Sequence, residues 1–244
     1  EKLRKMSRAY IHEILSAQLD ARLKEMGVSG YNIENVSQVQ DKNGEWRPID
    51  SDKDPTVILL HYPSILEDTI NYIPPRVKIE ISCLSMDEPT ELRQIRSLIG
   101  ESFDGEDRGA ESLVRTVVPT RTFLEKLFLL AEEFQKEKPR SVRMSRHLYD
   151  LEKLMDTEYG LEALSNRKLY DAIVEHRKTY YALKYVNYDL HAPSSISFTI
   201  PKSVMDAWQD DYADMRRFFI YGESLEFDAL MQKMRELQER VRVM

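Results

Sequence analysis

Apolar positions recur at helical spacing at the start of the chain. Met6, Tyr10, Ile14, Leu15, Leu19 and Leu23 fall at that spacing within residues 2–26, and the Gly27–Gly30 region ends the run. The pattern then changes to short extended segments. NIENVSQVQ and EWRPID flank Asp41-Lys42-Asn43-Gly44, and the Asn-Gly pair predicts a hairpin. TVILLHY (56–62) reads as an apolar strand, and SILEDTINYI (64–73) as a short helix stopped by Pro74-Pro75. RVKIEISCL (76–84) alternates, with Val77, Ile79, Ile81 and Cys83 on one side and Lys78, Glu80 and Ser82 on the other. LVRTVVP (113–119) predicts a further strand, and the charged stretch before it, including FDGEDRG (103–109), reads as loop.

After Pro119 the periodicity is helical, near 121–136, 141–157, 167–185, 202–219 and 225–242, with SISFTIP (195–201) as a short extended interruption. There is no internal repeat and no low-complexity tract. The pattern predicts an α+β protein: an α/β portion over 1–115 followed by a helical portion over 116–244.

Composition changes this picture little. The 244 residues, 42% hydrophobic and 32% charged, are enough for one large domain or two small ones. No apolar run is long enough to span a bilayer, and EKLRKMSRAY is too charged to read as a secretory signal. The single cysteine, Cys83, excludes an internal disulfide framework and fits a reducing cytoplasm. A net charge of −7 argues against a broadly basic nucleic-acid-binding surface. Residues 136–147 (KEKPRSVRMSRH) are the local exception, with five Lys/Arg against one Glu.

That basic connection joins two helices with candidate chemistry. Thr122 and Glu125 fit a capping box, which predicts a helix start near Thr122 and puts Phe123, Leu127, Leu130 and Phe134 on its buried stripe. Lys126 would then lie off that stripe in the first turns, where it could join the helix dipole in binding phosphate or simply be a surface lysine. Asp150 has Arg146 four residues before it and Lys153 three after, spacings that suit surface ion pairs. Alternatively the second helix of an antiparallel pair, packed through Leu148, Leu151 and Leu154, presents Asp150 beside Lys126.

Other chemistries fail on spacing. Ser145, His147 and Asp150 cannot converge as a triad along one short helical stretch. Histidines 12, 61, 147, 176 and 191 match no zinc pattern, and there is neither GxGxxG nor a Walker A loop. Glu80, on the polar face of a strand, suits either a solvated face or a divalent-cation ligand of phosphoryl-transfer chemistry.

VVPTRTFLEKLFLLAEEF, followed after the basic connection by SRHLYDLEKLM, resembles the nucleotidyltransferase AbiEii/AbiGii toxin family of bacterial abortive-infection and toxin–antitoxin systems. DYADM (211–215), ESLEFDALMQKMRELQERV and the strand RVKIEI extend the resemblance over roughly residues 55–244. It implies a nucleotidyltransferase-type fold with an appended helical region. It also implies transfer of a nucleotidyl group from an NTP with Mg2+, and a cognate antitoxin. Some members are described as modifying tRNA, which makes tRNA or another RNA a candidate acceptor. By resemblance, Lys126 and Asp150 are the catalytic candidates, Arg121, Arg143 and Arg146 would assist with phosphate charge, and Glu80 would be a third metal-binding carboxylate.

The family's earlier signatures, a Gly-Gly-Thr/Ser stretch and a strand-borne Asp-x-Asp, are not visible; Asp50-Ser51-Asp52 and Asp52-Lys53-Asp54 lie in a polar loop. The expectation is that an N-terminal segment carrying the metal motif precedes this chain, and that the chain alone is inactive. Two alternatives stand beside the enzyme: a catalytically inactive nucleotide- or RNA-binding module of the same fold, and a helical interaction protein using 202–242.

Overall fold

The computed structural model describes residues 1–40, 44–51, 53–65, 74–84, 90–103 and 111–244. It divides into two compact units, Glu1–Met86 and Asp87–Met244, so the second unit takes in residues that the sequence pattern grouped with the α/β portion.

The first unit opens with α1 (Lys2–Tyr10), a π-turn at Ile11–Leu15 and α2 (Ser16–Glu25), run together as one helix. Gly27, with φ of 76°, ends it: Val28 N–H reaches back to the Leu23 carbonyl (2.9 Å), the closure that a left-handed residue permits. The buried face is not the one expected. Met6, Tyr10 and Ile14 are exposed, whereas Ile11 is buried and Leu15, Leu19 and Leu23 are half-buried. The π-turn adds a residue to one turn and so rotates the apolar stripe.

Strands β1 (Asn32–Asn35), β4 (Thr56–His61) and β5 (Arg76–Ile81) form an antiparallel sheet with β4 central. Ile58, opposite Ile79, anchors its buried face. Strands β2 (Gln38–Gln40) and β3 (Trp46–Pro48) pair as the expected hairpin; three of its four connecting residues lie outside the described set. The helix expected over 64–73 also lies almost wholly outside the described residues, as does most of FDGEDRG.

The second unit begins with a hairpin whose second strand falls on the expected strand LVRTVVP and whose first strand lies in the stretch expected to be loop. Strand β6 (Thr90–Arg96) pairs along its whole length with β7 (Glu111–Val117), from Thr90 opposite Val117 to Arg96 opposite Glu111. TELRQIR lacks the alternation of a half-buried strand, because most of it is exposed. The short α3 (Leu98–Ser102) follows β6, capped by the Ser97 hydroxyl.

Helix α4 (Pro119–Glu133) is the centre of this unit, packed against α5 (Arg146–Leu154), α6 (Glu158–Ser165) and α7 (Arg167–His176). Phe123, Leu124, Leu127, Phe128 and Leu130 on α4 are fully buried. Helix α6, absent from the sequence reading, packs close because of Gly160: a Cβ there would lie 2.2 Å from the Leu154 carbonyl oxygen. Helices α8 (Met205–Phe218) and α9 (Phe227–Arg242) complete the unit, α9 against α5. SISFTIP is extended without a ladder partner, its Ile196, Phe198 and Ile200 buried and its backbone held by the Gln238 side chain at the Ile196 carbonyl (2.6 Å) and the Phe198 N–H (3.2 Å).

Candidate active site

The first turn of α4 differs from the capping box. The helix starts at Pro119, after an extended Val118, and proline suits that position because its missing N–H would have no intrahelical acceptor. Thr122 is therefore inside the helix. Glu125, the expected capping partner, instead accepts hydrogen bonds from Arg121 (3.0 Å) and Arg177. Lys126 accordingly lies two turns in, beyond the reach of the helix's unpaired N–H groups, so dipole-assisted phosphate binding does not explain it.

What engages Lys126 is Asp150. Helices α4 and α5 pack side by side, with Leu148 and Leu151 buried, and Lys126 Nζ lies 2.7 Å from Asp150 Oδ2. The two side chains are 22% and 36% exposed, enough to meet a ligand while remaining paired. Of the two arrangements open from sequence, Asp150 takes the interhelical one; Lys153 pairs with Glu152 instead (3.3 Å).

Helix α5 starts at Arg146 rather than near 141, because Asp211 of α8 gathers the preceding turn. Its carboxylate accepts from the Arg143 and Ser145 N–H groups and from the Ser145 hydroxyl, while Arg143 adopts φ of 58°. Asp211 is thus the residue that fixes where α5 begins, four residues before Asp150. The sequence offered only the DYADM motif as a signal for it. Replacing Asp211 with alanine strands these donors and should destabilise the protein by about 2–3 kcal/mol; asparagine should cost less. Urea titration of the three proteins checks the order.

The basic connection is partly committed inward. Glu133, buried at the end of α4, accepts from the Arg140 backbone N–H (2.8 Å), Arg140 Nη2 (2.7 Å) and Lys136 Nζ (2.7 Å). Burial alone would raise this carboxyl, but those hydrogen bonds outweigh it and hold it at about 2. Of the expected phosphate ligands, Arg121 is buried, Arg143 is half-buried and Arg146 is exposed.

His147 is buried on α5, next to Arg146. Burial, then the nearby charges of Lys126, Arg146 and Arg140, push its imidazole down to about 3, so it is neutral at physiological pH. The folded state refuses a proton that the unfolded chain accepts below an ordinary histidine value near 6.5. Stability is therefore fully present above pH 6.5 and falls as pH drops toward 3. By pH 5 this one group should remove about 2 kcal/mol. Thermal unfolding across pH 7 to 5 should show that loss, and His147→Gln should flatten it.

Glu80 lies in the first unit, exposed on β5 opposite Val57, with Lys78 Nζ 2.7 Å away. Among the described residues no three His, Cys, Asp or Glu side chains cluster as a metal site. The described residues thus offer no ready cluster for Mg2+. No described helix is long and apolar enough to cross a membrane.

Searches of curated proteins and of solved structures returned no match. Residues 6–233 match the family model described as nucleotidyl transferase AbiEii toxin, type IV toxin–antitoxin system. That span takes in β4, β5, the Lys126–Asp150 pair, Asp211 and the first two turns of α9. The chain belongs to the AbiEii nucleotidyl transferase toxin family of type IV toxin–antitoxin systems.

Proposed function

We propose that the protein transfers a nucleotidyl group from an NTP to an RNA acceptor, with tRNA the first candidate, and that Lys126 and Asp150 form the working pair. The observation that carries this reading is the half-exposed 2.7 Å ion pair bridging two helices in a member of a nucleotidyltransferase toxin family. In the reaction an acceptor hydroxyl attacks the α-phosphorus, the bond to the β-phosphate oxygen breaks, pyrophosphate leaves and the hydroxyl proton passes to water. Negative charge grows on the phosphoryl oxygens along this path. A preorganised ammonium in a partly water-excluded site stabilises that charge more than it stabilises the ground state. Lys126 supplies the ammonium and Asp150 holds it in place, while Arg146, exposed one turn before Asp150, meets the outer phosphates. Arg121 contributes from beneath by holding Glu125.

The test is to incubate the full gene product with each α-labelled NTP, Mg2+ and bulk tRNA. Labelled RNA that disappears with Lys126→Ala supports the reading. NTP binding without transfer from any of the four would overturn it in favour of an inactive binding module. Family membership implies a cognate antitoxin, which should suppress the toxicity of the active protein.

A further inference from the structure

The segment that follows α7 is not needed for the Lys126–Asp150 pair, yet it is built in an unusual way. Residues 177–188 (RKTYYALKYVNY) carry three cations and no Asp or Glu, in a chain with a net charge of −7. The helix loosens into a π-turn at Arg177–Tyr181, and Ala182 then takes φ of 46°, which turns the backbone sharply. This leaves three tyrosines on the surface: Tyr180 is 54% exposed, Tyr181 36% and Tyr185 45%.

Each ring is braced by an identifiable partner. Tyr180 lies against His176 with ring centroids 4.7 Å apart, and Tyr181 meets the same imidazole edge-on at 5.9 Å. The Arg177 guanidinium sits 4.8 Å over Tyr181, and the Lys136 ammonium 5.3 Å over Tyr185. His176 and Arg177 are themselves buried, so the supports are rigid. Lys136 also ties this segment to the basic connection, as does the Asn187 N–H, which donates to Gln135 Oε1 (2.7 Å). Lys178 and Lys184, within the same segment, are both exposed.

We infer that Tyr180, Tyr181 and Tyr185, with Lys178 and Lys184, form a stacking platform for single-stranded nucleic acid. Braced aromatic rings offer flat faces to unpaired bases, and the lysines offer charge to the backbone between them. A duplex keeps its bases stacked on one another and cannot use the rings, so the platform selects single strands. The binding requires neither NTP nor transfer, and it stands or falls separately from the reaction proposed above.

The experiment is fluorescence anisotropy without NTP, using the full protein and labelled oligouridine, oligothymidine and blunt RNA duplex of about 12 units each. Single strands should bind more tightly than duplex. Tyr180→Leu and Tyr185→Leu should each weaken single-strand binding about 5- to 100-fold, the loss of one stacked base. Lys178→Gln and Lys184→Gln, both exposed and harmless to folding, should each lower the slope of log affinity against log salt by about 0.7. Equal affinity for RNA and DNA, or a preference for RNA, both fit a platform that stacks bases. A 4-thiouridine cross-link should map to the peptide 178–188. Equal or tighter binding of duplex, unchanged affinity in folded tyrosine variants, or a cross-link confined to another peptide would overturn the platform.

Discussion

Arg177→Met should destabilise the protein by about 3–5 kcal/mol, the cost of breaking a buried ion pair from one side. Arg177 and Glu132 are 7% and 5% exposed, joined at 2.7 Å and 2.5 Å through two guanidinium nitrogens. The same guanidinium reaches Glu125, which also holds Arg121, so one side chain on the π-turn after α7 ties down two carboxylates of α4. Removing it leaves Glu132 charged and buried, with a neutral-sized cavity where the cation was. Burial pushes the Glu132 carboxyl up and Arg177 pulls it below its ordinary value; without Arg177 the upward push is unopposed by its main partner. The same pairing makes part of the stability acid-labile: it is present above the ordinary glutamate range and lost as pH falls through the lowered folded value. Since much of the penalty is the stranded carboxylate, Glu132→Gln added to Arg177→Met should recover a substantial part of it. Equilibrium urea unfolding of the single and double variants measures both effects, and a double variant no better than the single would refute this account of the pair.

Lys126→Ala and Asp150→Ala should each lower nucleotidyl transfer by about 10²- to 10³-fold, the scale seen when one electrostatic donor to a developing oxyanion is removed. Their cost in stability should stay below about 1 kcal/mol, because the pair is partly solvated and α4 is held by its apolar face and by Arg177. The two losses should not add: if Asp150 acts by holding Lys126, the double variant should be scarcely worse than Lys126→Ala. Lys126→Arg keeps the charge but reshapes its geometry, and should retain only part of the rate. Initial rates with labelled NTP, set beside melting temperatures, separate a lost reaction from a lost fold.

How much of this was legible in the sequence depends on range. The buried stripe of α4 and the apolar face of α5 follow from spacing alone, and two such faces joined by a short connection bring Lys126 and Asp150 within reach. The resemblance in EKL and RHLYDL then singled out those two from many surface charges. Glu125 shows the limit: its position three after Thr122 suits a capping box, but Arg177, 52 residues later, competes for it and wins. Asp211 acts on a turn 66 and 68 residues before it, which no local pattern encodes. Strand β6 was missed for a different reason. A hairpin exposed on both sides needs no alternation, so its pairing leaves no trace in hydrophobicity. The π-turn in the first helix likewise rotated the face that regular helical spacing selects.

The most direct test of the central claim is an exchange of the two charges, Lys126→Asp with Asp150→Lys, assayed for transfer from labelled NTP by the full gene product. The exchange keeps an ion pair between α4 and α5 and should restore whatever stability the single changes cost. If Lys126 serves the reacting phosphate, the exchanged protein should be folded yet as inactive as Lys126→Ala, because the ammonium now stands on the wrong helix. Transfer at the parental rate would show that the pair only joins two helices, and would contradict its place in the chemistry.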